Sequence, residues 1–223
     1  GNYTFNWPLD PATTALTSGF SGKIKVVTVT PTEQSVVQRM STGTETFEVK
    51  GTVTLLAPGG AEDPNPAPMI VGSPYTIKWA KFGAVNNVQL HYSTTGCSSA
   101  ANNFDANPVI YDGATGSGTY NWTVPNAVGT NVCVRVQHKE NTTVKDVSGA
   151  APAETPFRIK GTLTLTEPED ANIVYQVKTT PYPNVQWTSK GTFSPLQVHL
   201  DLDGNFESGG APILISSPNN CTP

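Results

Sequence analysis

The sequence predicts an all-β chain of tandem Greek-key β-sandwiches, and three observations lead there. A block of about 110 residues recurs along the chain. Short runs of alternating apolar and polar residues are separated by turn residues throughout. Charged residues are only 13% of the chain, about half the usual soluble share. Thr, Ser, Asn, Gly and Pro take their place, a composition of strands and turns.

The repeat is read directly from residues. Phe47-Glu48-Val49-Lys50-Gly51-Thr52-Val53-Thr54-Leu55 returns 110 positions later as Phe157-Arg158-Ile159-Lys160-Gly161-Thr162-Leu163-Thr164-Leu165. Tyr75-Thr76-Ile77-Lys78-Trp79 corresponds to Pro183-Asn184-Val185-Gln186-Trp187, 108 positions on. Val88-Gln89-Leu90-His91-Tyr92 corresponds to Leu196-Gln197-Val198-His199-Leu200 at the same offset. Gly1-Asn2-Tyr3-Thr4-Phe5-Asn6-Trp7-Pro8 aligns without a gap to Gly118-Thr119-Tyr120-Asn121-Trp122-Thr123-Val124-Pro125. Three copies follow: residues 1–50 are the back part of one, 51–160 a complete one, and 161–223 the front part of a third.

Within the complete copy seven segments are expected as strands A to G: Thr52–Ala57, Tyr75–Ala80, Asn87–Ser93, Pro108–Tyr111, Thr119–Val124, Asn131–His138 and Pro156–Lys160. Side chains on a strand alternate between faces. Tyr75, Ile77 and Trp79 therefore share one face, as do Val88, Leu90 and Tyr92, and Val132, Val134 and Val136. Gln89, His91, Cys133 and Arg135 fall on the opposite, wet faces, the pattern of a half-buried antiparallel sandwich. Trp79, Trp122 and Val134 are expected in one core, with Trp187 as the counterpart of Trp79; core filling is favoured over a sugar-stacking platform. The opening residues Asn2–Trp7 read as a strand equivalent to E.

The strand B, C and E segments just quoted resemble an immunoglobulin-like repeat of large bacterial and archaeal cell-surface proteins. They are similar also to the amino-terminal domain of a family of fungal cell-wall proteins. The third copy departs from the pattern, with Leu200-Asp201 where the complete copy has Tyr92-Ser93. The resemblance implies tandem immunoglobulin-like Greek-key sandwiches and a role in stalks, surface layers or adhesins. In such a sheet, strands C and F are antiparallel neighbours, so Cys97 beyond C meets Cys133 at the start of F. A disulfide is expected there, adding about 3–4 kcal/mol by loop-closure reasoning and implying an extracytoplasmic, cell-surface location.

Copies join without a Gly/Ser linker: Phe157-Arg158-Ile159-Lys160 runs through Gly161 into Thr162-Leu163-Thr164-Leu165, and Gly51 marks the same kind of junction. A strand shared between sandwiches predicts a semi-rigid rod rather than a flexible tether.

Chemistry-bearing constellations are scarce, and no enzyme activity is expected. His91 and His199 recur at equivalent strand C positions, one repeat apart, and do not converge with His138 as a catalytic or metal site requires. Asp201, Asp203, Asn205 and Glu207 alternate as in a calcium loop, but Asp203-Gly204 reads better as a tight turn; no cofactor is expected beyond that weak calcium candidate. Glu167-Pro168-Glu169-Asp170, near a junction, reads as a solvated acidic loop rather than a cation site. Sequons at Asn2, Asn121, Asn141 and Asn220 are candidate glycosylation sites. A formal charge of −4 offers no basic stripe for a nucleic-acid backbone. No apolar run approaches the roughly 20 residues of a spanning helix, so no membrane span is expected. Gly1 opens directly on strand-like sequence, so either a leader has been removed or the chain begins inside a longer protein.

The functional expectation is a structural repeat segment of a surface layer, sheath, filament or stalk that pairs with copies of itself. The alternative is an adhesin or carbohydrate-binding module of a larger secreted protein. The partial copies at the two ends are expected either to complete one another between molecules by strand complementation or to be an excerpt of a longer array. Cys221 finds no cysteine partner within residues 1–50.

Overall fold

The computed structural model describes residues 4–6, 20–22, 25–27, 38–40, 47–83, 85–98, 104–105, 107–114, 118–149, 156–168, 185–192, 194–201, 206 and 213–214. These residues are all-β. In chain order the strands are β1 (Phe20–Gly22), β2 (Lys25–Val27), β3 (Gln38–Met40), β4 (Phe47–Val49), β5 (Thr52–Ala57), β6 (Met69–Ile70), β7 (Pro74–Phe82), β8 (Asn87–Ser93) and β9 (Tyr111–Ala114). There follow β10 (Thr119–Thr123), β11 (Gly129–His138), β12 (Lys145–Val147), β13 (Phe157–Lys160), β14 (Thr162–Glu167), β15 (Gln186–Lys190), β16 (His199–Leu200) and β17 (Ile213–Leu214).

The chain divides into two compact units. The first holds Gly1–Pro66, Thr76–Asn121 and Asn131–Pro156. One of its sheets runs in the order β10–β7–β5; in another, β8 lies between β11 and β9, with β12 on β11. The alternation of apolar residues explains the core. Val53 and Leu55 on β5, Ile77 and Trp79 on β7, Val88 and Leu90 on β8, and Val132, Val134 and Val136 on β11 are all buried. The intervening residues of β5 and β7 are exposed or half-buried, and the side-chain period of two does this sorting. The Trp79 ring tilts against Tyr111 with centroids 6.0 Å apart, linking β7 to β9. Leu55 donates its amide to Asp146 Oδ2 at 2.8 Å, tying β5 to β12.

Three sequence expectations change here. The fourth segment, expected over Pro108–Tyr111, forms its ladder over Tyr111–Ala114, against β8. Proline has no amide to donate, so beside β8 the contacts before Tyr111 come from the Asn107 side chain to Tyr92 O and from the Ile110 amide to Leu90 O. The wet faces assigned to strands C and F are not wet: His91, Cys133, Arg135 and Gln137 are buried, for a reason given below. Thr4–Asn6 form no strand, since extended backbone becomes a strand only beside a partner and these residues have none in the described sheets. Within the complete copy, two short strands, β6 and β12, lie outside the seven expected segments.

The second unit holds Ala67–Tyr75, Trp122–Thr130 and Phe157–Pro223. Met69, Val71, Trp122, Val124, Phe157 and Ile159 are buried, and β6 pairs in parallel with β13. A single residue, Gly161, separates β13 from β14, as the junction sequence implies. The pair β14–β15 copies β5–β7 in register. Leu55 faces Trp79 and Thr54 faces Ala80; Leu165 faces Trp187 and Thr164 faces Thr188. Both ladders shift register at the same place, between Leu55 and Ala57 and between Leu165 and Glu167. Of the expected strand Leu196–Leu200, regular pairing covers His199–Leu200, against β17.

Equivalent tryptophans thus sit in unlike surroundings, Trp79 buried and Trp187 half-buried. Trp79→Ala is expected to cost about 3–5 kcal/mol, because a large buried ring leaves a cavity. Trp187→Ala is expected to cost less than half as much in the dispersed chain, where there is less packing to lose. Urea unfolding of both variants checks this; equal losses would place Trp187 in a closed core.

Candidate interaction surface

Three features of the described residues qualify for a functional role: a disulfide-pinned polar cluster, the candidate ligand residues named from sequence, and an open apolar face.

The polar cluster explains the burial on strands C and F. Cys97 and Cys133 are bonded, with Cα atoms 5.2 Å apart and 36 positions between them in sequence. The bond holds the chain leaving β8 against the start of β11. Cys97, Phe104, Cys133 and Val147 form one buried cluster, and the Arg135 guanidinium lies 4.7 Å from the centre of the Phe104 ring. Arg135 Nη2 donates to Asp105 Oδ1 at 2.8 Å. Phe104 and Asp105 therefore lie over a face that strand alternation alone would leave in water. Cation–π contact is favourable when the cation has lost its water, which explains how a buried arginine is tolerated.

His91 lies opposite Arg135 in the ladder. Gln137 Nε2 stands 3.1 Å from Gln89 Oε1 and 3.2 Å from His91 Nε2. With the Gln137 amide nitrogen as the donor, His91 Nε2 accepts, an arrangement that suits a neutral imidazole. Arg135 Nε is buried without a hydrogen-bond partner. Burial pushes the His91 pKa below its ordinary value and the Arg135 charge adds to this; Asp105, the Phe104 backbone and Asp112 pull the other way. Hydrogen bonding from Arg135 holds the Asp105 carboxyl below its usual value, and bonds from Lys139 and Gln89 do the same for Asp112. The cluster buries His91, Arg135 and Gln137, while Asp105 stays exposed at its edge.

The other sequence candidates are scattered. His199 is exposed, 3.2 Å from Gln197 Oε1. His138 is buried and pairs through Nε2 with Glu140 Oε2 at 2.8 Å. Asp201 is half-buried at the end of β16, while Asp203, Asn205 and Glu207 lie outside the described residues, as do Glu169, Asp170 and Cys221. Among the described residues no three His, Cys, Asp or Glu side chains gather as a metal site would need. No helix there is long and apolar enough to cross a membrane. Asn121 is exposed on β10 and accepts from Thr76 Oγ1 at 3.0 Å. Asn141 accepts from Thr143 Oγ1 at 2.7 Å in a turn. Asn2 and Asn220 lie outside the described residues.

The open face belongs to the third copy. Val53 and Leu55 on β5 are 6% and 2% exposed; their counterparts Leu163 and Leu165 on β14 are 50% and 53% exposed. Leu163, Leu165, Val185, Trp187, Leu196 and Val198 line a groove of about 300 Å³. Leu200, Ile213 and Leu214 are also exposed. Exposed apolar surface of this kind is a candidate interaction surface.

No protein-family model, curated protein or solved structure matches the chain.

The buried histidine makes stability depend on pH with a definite sign. The folded-state pKa lies below the unfolded value of 6.5. Between those two values the unfolded chain binds the proton and the folded chain does not, so stability falls as pH drops below 6.5 and levels off beneath the folded pKa. Urea unfolding across this window is expected to show the decline in the parent and a shallower one in His91→Gln. Equal slopes would contradict a neutral, buried His91. The lowered carboxyls of Asp105 and Asp112 act in a separate window, below about pH 4.

Proposed function

We propose that the chain is a structural segment of an extracellular surface layer, sheath, filament or stalk, made of immunoglobulin-like Greek-key sandwiches that assemble end to end. The observation that carries this reading is the pair β14–β15, which repeats the register of β5–β7 while its apolar row lies open. A surface of that composition is a joining surface, and the role it serves is mechanical rather than catalytic.

Strand order supports the immunoglobulin-like assignment. The sheet β10–β7–β5 has the order E-B-A, and β11 beside β8 has the order F-C; the fourth strand lies on the edge of C instead of beside E. The Cys97–Cys133 bond supports an oxidising, extracytoplasmic setting.

Joints of limited freedom support a stiff array. In the second unit Asn126 Nδ2 donates to Thr192 Oγ1 at 2.7 Å, and the Thr192 amide donates to Asn126 Oδ1 at 2.9 Å. Beside this clasp Gly191 has φ +102°, and a Cβ placed on it would stand 3.3 Å from Gly161 Cα and 3.0 Å from Val128 Cγ2. Gly83, 108 positions earlier, has φ +74° and stands in the same way 3.2 Å from Gly51 Cα. Both junctions therefore use glycine where the backbone is left-handed and the neighbouring strand is close.

Electron microscopy of the purified chain tests the reading. Linear polymers or an ordered lattice, lengthening with protein concentration, are expected. Dispersed single particles at every concentration would contradict it.

A further inference from the structure

We propose that residues 1–8 of a second copy add a strand beside β15, with Phe5 entering the groove lined by Leu163, Leu165 and Trp187. This rests on the end-to-end assembly reading and names the segment that makes the joint.

The complete copy supplies the template. There the segment Gly118–Pro125 contains β10, which lies beside β7 in the sheet β10–β7–β5. Trp79 donates its amide to Gly118 O at 2.8 Å, and Trp122 and Val124 are buried. In the third copy β15 stands where β7 stands, in the same register to its strand A partner. Among the described residues β15 pairs with β14 and with no other strand.

This chain carries another segment of the template sequence, Gly1–Pro8, which aligns with Gly118–Pro125 without a gap. Position for position, Phe5 takes the place of Trp122 and Trp7 that of Val124. The two positions that point inward in the template are thus both aromatic here. Phe5 is 86% exposed, the largest exposure among the large apolar side chains of the described residues. A phenylalanine ring and an apolar groove of about 300 Å³, each uncovered, are complementary in chemistry, since an aromatic ring removes roughly 150–250 Å² from water when buried.

The geometry of the match is heterologous: the donor is the first copy's segment and the acceptor is the third copy. An interface of that type does not close on itself and propagates as a fibre. Added strands gain affinity from the main-chain ladder and specificity from alternate side chains in pockets. Here Phe5 is the side chain that sets the register.

The test uses the full chain and a synthetic peptide of residues 1–8. Light scattering is expected to show the parent chain growing with concentration. The Phe5→Asp variant, altered at an exposed position, should need at least about tenfold more protein for the same growth, since a charge in an apolar pocket is poorly tolerated. The labelled peptide is expected to bind the chain by fluorescence anisotropy and to lose binding to Leu165→Asp. Growth unchanged by Phe5→Asp, as when the groove is filled by a following segment of a longer chain, overturns the inference alone. A peptide that fails to bind does the same. A parent chain that stays monomeric overturns the assembly reading and the inference with it.

Discussion

An antiparallel sheet with one apolar face is stable only when that face is shielded from water, and this constraint organises the molecule. Burial is worth about 25 cal/mol for each Å² of apolar surface, so the row Val53, Leu55, Ile77 and Trp79 yields its stabilisation through the cover it receives. The same alternation is written again in Leu163, Leu165, Val185 and Trp187. The backbone responds identically, down to the position of the register shift, and the burial does not. Local pattern sets strand geometry; cover sets energy. The difference between the two copies isolates what the covering strands contribute.

A second instance of the constraint lies on the outer face of β8 and β11. Gln89, His91, Arg135 and Gln137 are polar and suit water, yet all but the partly exposed Gln89 are buried. A neutral polar group out of water must find a partner or carry the cost of losing it. Here Gln137 bridges Gln89 and His91, and Arg135 is held by the Phe104 ring and the Asp105 carboxylate. The disulfide fixes the chain leaving β8 at Cys97, which limits how far Phe104 can depart. A loop of this length contributes about 3–4 kcal/mol through lost freedom of the unfolded chain. The covalent bond and the buried arginine therefore support one another.

Much of the architecture was legible because the repeat was. The offset between Phe47–Leu55 and Phe157–Leu165 located two strands and both junctions, and the period of two in Tyr75–Trp79 and Val88–Tyr92 located the inward rows. What escaped was set by contacts between residues far apart in sequence. Nothing local to Gln89-Leu90-His91 announces that Phe104 and Asp105 will lie over the strand; the two cysteines bracketing a long loop are the available signal. The fourth strand lies at Tyr111–Ala114 rather than Pro108–Tyr111, and proline's missing amide keeps Pro108 from donating to a ladder. β6 and β12 are too short for periodicity to register, and they exist because neighbouring strands offer edges.

The apolar row of β14–β15 is exposed in the structure, and we propose that assembly covers it. Amide hydrogen exchange read by mass spectrometry over residues 185–192 tests it most directly, comparing dispersed with concentrated protein. The expected result is fast exchange at Gln186–Lys190 in the dispersed chain and strong protection after assembly, with Thr76–Ala80 protected under both conditions. Equal protection of the two segments in the dispersed chain would mean that the third copy is already closed, and would contradict the account.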